Sequence, residues 1–194
     1  MSCHPMSPSN PLGTNNKFHN IGIVAEKQNF SRLAMEGVRI LQQGMSDKAL
    51  DELALASEYG ELGRFTVTHN PNNIGAFRTP MLLNVGITGP YMHDGSLKTL
   101  WDVVDHYNAG GEPNLFLDGG IEPLNLTERQ IDQLVAFLFT LTDIRFSAEN
   151  ARKYQEQFSL SRRERPERNT PVAQRKVLSF ENFRPSQPVK GEVK

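Results

Sequence analysis

Residues 77–111 read FRTPMLLNVGITGPYMHDGSLKTLWDVVDHYNAGG, and they form the most informative pattern of this chain. Proline turns, imidazoles and phenols surround a short amphipathic segment within this stretch. Thr99 is a suitable N-cap for a helix from Leu100 to about Asn108, and Gly110-Gly111 would end that helix. The stretch therefore predicts one short helix, framed by ordered turns that carry histidine and tyrosine side chains.

Helical spacing of apolar residues predicts two more helices in the first third of the chain. The first runs from Phe30 to Gln43, with Asn29 as its cap and Gly44 at its end. Ser46 caps the second, which is shorter. Both helices are amphipathic, so we expect each to bury one face.

The clearest helix lies in the second half of the chain, and loops surround it. Thr127 and Gln130 form a capping-box pattern, and residues 147–158 could add a polar helix. Residues 59–76 are rich in glycine, proline and asparagine, which predicts loop with one extended piece at 65–67. The apolar stripe of the clearest helix consists of Ile131, Leu134, Val135, Leu138 and Leu141.

Short helices joined by long ordered loops, with almost no strand, indicate an all-α protein. Loops beyond about 12–15 residues are uncommon in compact domains unless they are functional or disordered. Only 38% of the 194 residues are hydrophobic, and the mean hydropathy is −0.47. We therefore expect disordered parts, or a centre that is filled by something other than side chains.

Charge and cysteine content narrow the class of protein. Residues 161–194 hold nine lysines and arginines against four acidic residues. This predicts a solvated, flexible tail, with contact to an acidic partner or a membrane surface as the alternative. We expect no nucleic-acid partner, and no transmembrane segment because no run of about 18 apolar residues occurs. The single cysteine excludes an internal disulfide framework and a cysteine-rich zinc site.

Cys3 and His4 stand at the other end of the chain. A c-type haem is attached through Cys-x-x-Cys-His, in which the histidine binds iron. Cys3-His4 fits the last two positions, and the first cysteine would fall one residue before Met1. We expect that the chain begins inside such a motif or carries a single-thioether variant. A free thiol beside a surface histidine is the alternative.

Several segments together form a long, ordered pattern: Phe77-Arg78-Thr79-Pro80, Leu83-Asn84-Val85, TGPYMHDG at 88–95 and VVDHYNAGG at 103–111, followed by Leu124-x-Leu126-Thr127-Glu128 and LVAFL at 134–138. This pattern resembles the C-terminal haem domain of the di-haem cytochrome c peroxidase and MauG family. The resemblance covers about residues 1–145 and leaves the basic tail unmatched. It implies a cytochrome c-like fold of helices and long loops around one haem c.

The resemblance also implies the axial ligands of that haem. His4 would be the proximal ligand beside the Cys3 thioether, and Tyr107 matches the distal position, where family members place methionine or tyrosine. Axial ligand identity tunes the haem potential over about 0.8 V. A thioether sulfur favours ferrous iron, whereas an anionic phenolate favours ferric and higher states, so Tyr107 would lower the potential.

Helical geometry agrees with Tyr107 as a ligand. Leu100, Val104 and Tyr107 share one face at i, i+4 and i+7, whereas His106 points about 100° away. A packed Tyr107, with its hydroxyl bonded to backbone, is one alternative. The other alternative ligands are Met92, Met45 and Met81.

The resemblance suggests further contacts for the cofactor. Arg64 and Arg78 flank the loops where haem propionates need cationic partners, although surface arginines are the commoner case. His93 would order the loop between two haems, or else bond to backbone within its tight turn. Thr88 and Pro90 match positions whose backbone carbonyls bind an inter-haem calcium ion in the family.

For three other residues the sequence predicts a place in the fold but no role at the haem. Trp101 is expected in the core, although it could also lie on an electron path. His19 and His69 stand in polar loops and are expected to be solvated.

Taken together, the sequence predicts a haem domain at 1–146, and a polar helix with a basic, flexible tail at 147–194. The family implies a periplasmic electron-transfer domain that takes electrons from a small redox donor protein. It would pass them to a peroxidatic haem domain, outside this chain or on a separate one, that reduces hydrogen peroxide. The alternatives are a haem-free interaction module derived from the family and an autonomous peroxidase with an open iron site.

Overall fold

A computed structural model describes residues 3–27, 29–42, 44, 48 and 57–164. The helix predicted after Ser46, the alternative ligand Met45 and the tail beyond residue 164 lie outside these residues. None of the described helices has the length and apolar content that a membrane crossing requires.

The described residues form an all-α architecture, as predicted. Its helices are α1 (Phe30–Gln42), α2 (Phe65–Thr68), α3 (Leu100–Ala109), α4 (Glu128–Thr140) and α5 (Ser147–Glu164). Short 3₁₀ turns lie at Ile23–Glu26, Ser57–Leu62, Pro71–Asn73, Val85–Ile87 and Ile144–Phe146. A two-stranded antiparallel ladder joins β1 (Phe18–His19) to β2 (Phe77–Arg78), with Phe18 opposite Arg78 and His19 opposite Phe77.

The predicted caps of α3 and α4 are confirmed. The Thr99 side chain accepts a hydrogen bond from the Asp102 N–H, and the Asp102 carboxylate accepts one from the Thr99 N–H. Gly110 ends α3 in the left-handed conformation, with φ of 87°. Thr127 and Gln130 form the same reciprocal pair at the start of α4. These local hydrogen bonds set the position of α3, which carries Tyr107.

The extended piece predicted at residues 65–67 is wrong, because this segment forms the helical turn α2. Phe65 is only 1% exposed and packs among the buried side chains around α1. The Thr68 N–H and side chain both bond to the Arg64 carbonyl, which closes the turn. Burial of one aromatic ring therefore overrides the local β preference of this segment.

Two groups of buried apolar side chains form the core. The α1 cluster comprises Ile23, Val24, Phe30, Leu33, Ala34, Tyr59, Leu62, Phe65 and Ile74. The α3–α4 cluster comprises Tyr91, Leu100, Trp101, Val104, Ile131, Val135 and Phe139. Trp101 is fully buried, as expected.

Helix α5 continues six residues beyond the predicted polar helix and is packed against the α3–α4 cluster. The ring centroid of Tyr154 lies 5.7 Å from that of Trp101 and 5.0 Å from that of Phe139. Phe158 contacts the same indole edge-on, at 5.8 Å. The division of the chain at residue 146 stays a prediction, but residues 147–164 share a core with the preceding helices.

The C-terminal end of α3 is joined closely to the segment before α1. The His106 Nε2 lies 2.8 Å from the Ile21 carbonyl oxygen. Gly111 has φ of 65°, and a Cβ atom there would lie 2.4 Å from the same oxygen. Glycine is therefore required at 111, because any side chain would push the two segments apart.

Candidate haem site

A cavity of about 520 Å³ is bordered by both clusters. Its volume falls within the range of about 300–1,000 Å³ that is typical of ligand sites. Ile23 from the α1 cluster and Leu100 and Val104 from the α3–α4 cluster line it. Every predicted site residue except Arg64 also lines it: Cys3, His4, Arg78, Thr88, Pro90, His93 and Tyr107.

The ring of His4 is oriented by one hydrogen bond. Its Nδ1 lies 2.8 Å from the Gly13 carbonyl oxygen, which can only accept. The proton must therefore sit on Nδ1, and the lone pair on Nε2. A backbone carbonyl that orients a histidine in this way is the usual arrangement for a metal ligand. His4 thus presents a donor atom suited to iron.

Tyr107 faces the same cavity from α3, together with Leu100 and Val104, as the helical spacing predicts. His106 instead turns to the Ile21 carbonyl. Burial raises the pKa of the Tyr107 hydroxyl to about 12, and the charge of the Cys3 sulfur adds to this shift. Within the described part of the chain, the hydroxyl has no hydrogen-bond partner, so the alternative of a backbone-bonded Tyr107 finds no support there.

Two of the alternative ligands also border the cavity. Met92 and Met81 both line it, and the Met81 side chain is 53% exposed. The Cys3 thiol lines it too, and burial raises its pKa, with the Asp118 carboxylate adding to the effect. The choice of Tyr107 as the distal ligand therefore stays a prediction.

His93 is held by charged side chains rather than by the backbone of its turn. Its ring stacks on Phe77, with centroids 3.6 Å apart. Its Nε2 lies 3.1 Å from Glu61, which also pairs with Lys27. Lys27 is 3.1 Å from Asp94 in turn. This network ties the loop at 91–95 to two distant segments. A role for His93 between two haems stays a prediction.

The two predicted propionate partners lie in different places. Arg78 is exposed, lines the cavity and donates from Nη2 to the Asn16 side chain at 2.6 Å. Arg64 does not line the cavity, and its guanidinium stacks over the Phe18 ring at 4.5 Å. The strand register explains this, because Phe18 pairs with Arg78 and presents its ring to Arg64. Of the two arginines, Arg78 alone lines the cavity, and its contact with a propionate stays a prediction.

Thr88 and Pro90 both line the cavity. The Thr88 hydroxyl donates to the Val85 carbonyl at 3.4 Å. Among the described residues, no three or more acidic, histidine or cysteine side chains gather into a metal-binding group. Calcium binding by the Thr88 and Pro90 carbonyls stays a prediction.

The expectation of a solvated ring is wrong for His19, whereas His69 is half-buried. His19 is 6% exposed, lines the cavity and pairs through Nδ1 with Asp118 Oδ2 at 2.6 Å. His19 is buried because β1 places it opposite Phe77 in the ladder. A strand of two residues within a polar loop gives no pattern in the sequence from which this pairing could be predicted. His69 ends α2 with φ of 52° and has a buried Nε2.

Two further residues, Tyr91 and Gln157, contribute to the site and were not predicted as site residues. Tyr91 lines the cavity and donates its hydroxyl proton to the Val85 carbonyl at 2.9 Å. The Gln157 Nε2 donates to the same hydroxyl at 3.0 Å. Burial raises the pKa of Tyr91 to about 12. Tyr91 stands inside the matched motif, but Gln157 could be found only from the packing of α5.

The cavity suits a c-type haem on three observations. Its volume and mainly apolar wall fit a large flat ligand, and its rim supplies an arginine. The oriented Nε2 of His4 offers a neutral nitrogen donor, and Cys3 offers the adjacent thiol. Tyr107 also lines the cavity, and its hydroxyl oxygen has no hydrogen-bond partner among the described residues. Imidazole and phenol are ligands that haem iron takes in proteins, and a cysteine directly before the histidine is the attachment residue of a c-type haem.

Comparison with known proteins supports this assignment. No family model matches the chain. The chain is 34% identical over 142 residues to cytochrome-c peroxidase IdrP1 of Denitromonas iodatirespirans, over 73% of this chain and 36% of the relative. It is 48% identical over 66 residues to methylamine utilization protein MauG of Methylorubrum extorquens, over 34% of this chain and 19% of the relative.

A solved structure agrees with these relatives. The crystal structure of a MauG-like protein associated with microbial copper homeostasis matches with a TM-score of 0.50 and 27% identity. The match covers 73% of this chain and 42% of that one. The fold is therefore all-α and cytochrome c-like. The chain spans less than half the length of these proteins, which fits a C-terminal portion. On this evidence, the chain belongs to the family of MauG and the di-haem cytochrome c peroxidases.

Proposed function

We propose that this chain binds one haem c in the cavity and serves as the electron-transfer domain of a MauG-like or di-haem peroxidase oxidoreductase. The observation that carries the proposal is the His4 ring. The His4 Nδ1 lies 2.8 Å from the Gly13 carbonyl oxygen, so the proton sits on Nδ1, and the lone pair of Nε2 is left to bind a metal, next to Cys3. Haem c, when bound, supplies one-electron redox chemistry.

Each residue then has a distinct task. Cys3 would attach the cofactor through a thioether, and His4 would hold its iron on the proximal side. Tyr107 would be the distal ligand, because it lines the cavity together with His4 and its hydroxyl has no hydrogen-bond partner among the described residues. The walls from both clusters exclude water, and Arg78 pairs with a propionate. His93 orders the loop that borders the cavity.

The distal ligand decides which oxidation states are favoured. An anionic phenolate from Tyr107 stabilises a higher charge on iron, whereas a thioether from Met92 or Met81 stabilises the lower one. Axial ligands change haem potentials over about 0.8 V. The His4/Tyr107 pair therefore gives a low potential, which suits the storage of oxidising equivalents.

The wider role is proposed from the family. A small redox donor protein delivers electrons to this domain, and a peroxidatic haem domain outside this chain receives them and reduces hydrogen peroxide. The periplasm is the proposed location, because c-type haem is attached there in this family. A calcium ion between the two haems, held in part by the carbonyls of Thr88 and Pro90, belongs to the same proposal.

Haem attachment is tested directly by maturation of the full chain in a host that assembles c-type cytochromes. We expect a pyridine haemochrome spectrum and one covalent haem in the intact mass. The Cys3→Ser variant loses the covalent haem, whereas His69→Gln, outside the cavity lining, retains it. A correctly matured, colourless wild-type chain contradicts the proposal and favours the haem-free interaction module.

A further inference from the structure

A continuous chain of hydrogen bonds runs from Asp118 to the backbone of the haem-attachment segment. Asp118 Oδ2 lies 2.6 Å from His19 Nδ1, and His19 Nε2 lies 3.0 Å from Asn15 Nδ2. The Asn15 N–H then donates to the Cys3 carbonyl at 3.0 Å. That carbonyl belongs to the peptide that joins Cys3 to His4. The carboxylate is therefore linked to the proposed haem ligand through two side chains.

The direction of each hydrogen bond along this path from Asp118 to Cys3 is determined. Asn15 Oδ1 accepts from the Lys17 N–H at 2.9 Å, so the amide nitrogen of Asn15 must face His19. An amide nitrogen only donates, and His19 Nε2 therefore accepts. The proton of the neutral ring must sit on Nδ1, where it is donated to Asp118. His19 is thus held as one tautomer, in one orientation.

The hydrogen-bond path is shielded from water at its centre, which is His19. His19 is 6% exposed and the Asp118 side chain 20%. Burial alone would raise the pKa of Asp118, but hydrogen bonds from His19 and from the Gly120 N–H outweigh it and lower that pKa. Asp118 is therefore ionised, and its bond to His19 is charge-assisted. Such bonds are roughly twice as strong as neutral ones, and a low dielectric strengthens them further.

We propose that Asp118 and His19 are positioning residues for the haem-attachment segment. Asp118 orients His19, His19 orients the Asn15 amide, and Asn15 holds the peptide plane between Cys3 and His4. This inference rests on the proposed function, since it concerns the setting of the proximal ligand. The two residues do not bind iron in this scheme and act only through Asn15.

The test compares Asp118→Asn, His19→Phe and the double variant in the matured full chain. Hydrogen exchange of the Asn15 N–H reports the last bond of the chain, and the ferric electron paramagnetic resonance spectrum reports the setting of the proximal ligand. Asp118→Asn keeps an acceptor oxygen but loses the charge. Asp143→Asn and His69→Phe are the matched controls, because neither residue lines the cavity. If His19→Phe does not fold, Asn15→Ser replaces it in the test, because it removes the amide that bonds to His19.

We expect the protection of the Asn15 N–H to fall roughly tenfold in both single variants, as the loss of one charge-assisted bond implies. The ferric signal should shift in both, while the controls match the wild type. In the double variant, the Asp118→Asn change should add nothing to His19→Phe. A full additional effect there shows that Asp118 acts directly and overturns the inference.

Failure of this inference is distinct from failure of the proposed function. A wild-type chain that takes up no covalent haem contradicts the function, and the Asn15 protection in the folded chain still tests the positioning role. A haem-loaded wild type whose variants keep the same Asn15 protection and ferric spectrum overturns the inference alone.

Discussion

Gln157 connects α5 to the helix that carries Tyr107, and its replacement tests this connection. The side chain is 5% exposed and makes three hydrogen bonds. Its Oε1 accepts from the Leu100 N–H at 2.8 Å. Its Nε2 donates to the Gly86 carbonyl at 3.2 Å and to the Tyr91 hydroxyl at 3.0 Å. One amide therefore joins the start of α3, the 3₁₀ turn at 85–87 and a cavity-lining tyrosine.

Gln157→Leu keeps the side-chain volume and removes all three bonds. Each bond contributes about 0.5–1.5 kcal/mol net, and a buried donor without an acceptor costs about 1–3 kcal/mol. The Leu100 N–H becomes such a donor in the first turn of α3. The apolar leucine offsets part of this loss, so we expect the free energy of unfolding to fall by about 2–4 kcal/mol.

Guanidinium unfolding of the matured chain, followed by circular dichroism, measures this change as a lower midpoint at constant slope. Gln155→Leu is the matched control, because Gln155 is exposed on the same helix and should change stability by less than about 0.5 kcal/mol. A loss below about 1 kcal/mol for Gln157→Leu contradicts the reasoning and means that α5 is not joined to α3 through this amide.

Three further predictions concern the site and its frame. Tyr107→Phe should change the visible spectrum of the ferric matured chain, because it removes the proposed oxygen ligand. Gly111→Ala should lower the thermal midpoint, since its Cβ would lie 2.4 Å from a backbone oxygen at φ of 65°. Acid should weaken the loop at 91–95. Burial opposes the charge of Asp94, but hydrogen bonds from Ser96 and Lys27 lower its pKa to about 2, so its contribution to stability is present above the ordinary value of 3.8 and is lost as the pH falls towards 2.

Each of these predictions has a control and a contradicting outcome. Tyr154→Phe should leave the ferric spectrum unchanged, and an unchanged spectrum in Tyr107→Phe removes that residue from the ligand set. Gly119→Ala should be neutral, because no atom of the described residues lies within 4 Å of the position that its methyl group would take. Lys27→Met should reduce the loss of stability between about pH 4 and pH 2, measured by denaturant titration. Equal losses in both proteins speak against the Asp94 assignment.

Residues close together in sequence account for what could be predicted about the helices. The caps of α3 and α4 each depend on a side chain and a backbone N–H three residues apart. The face shared by Leu100, Val104 and Tyr107 follows from the helical repeat alone. The Cys3-His4 pair and the motif at 77–111 predicted a common site, and the structure brings both to one cavity.

The misplaced residues all depend on contacts between distant parts of the chain. His19 is buried where β1 pairs with β2, and its carboxylate partner Asp118 lies 99 positions away along the sequence. A polar loop shows no periodicity that would reveal either contact. The helical turn α2 forms because Phe65 is buried in the α1 cluster. Arg64 leaves the cavity because strand pairing brings the Phe18 ring beneath it.

From the sequence alone follow the helical class, the caps, the face of α3 that carries Tyr107 and the family, since these depend on short spacings and on residue identity. Only the tertiary structure decided that the Gly13 carbonyl holds the His4 ring through Nδ1, that Asp118 pairs with His19 and that Gln157 joins α5 to α3. Each of these arrangements is a directional hydrogen bond with a partner chosen by the packing of remote segments. Such partners have no fixed separation along the chain, so no local pattern could specify them.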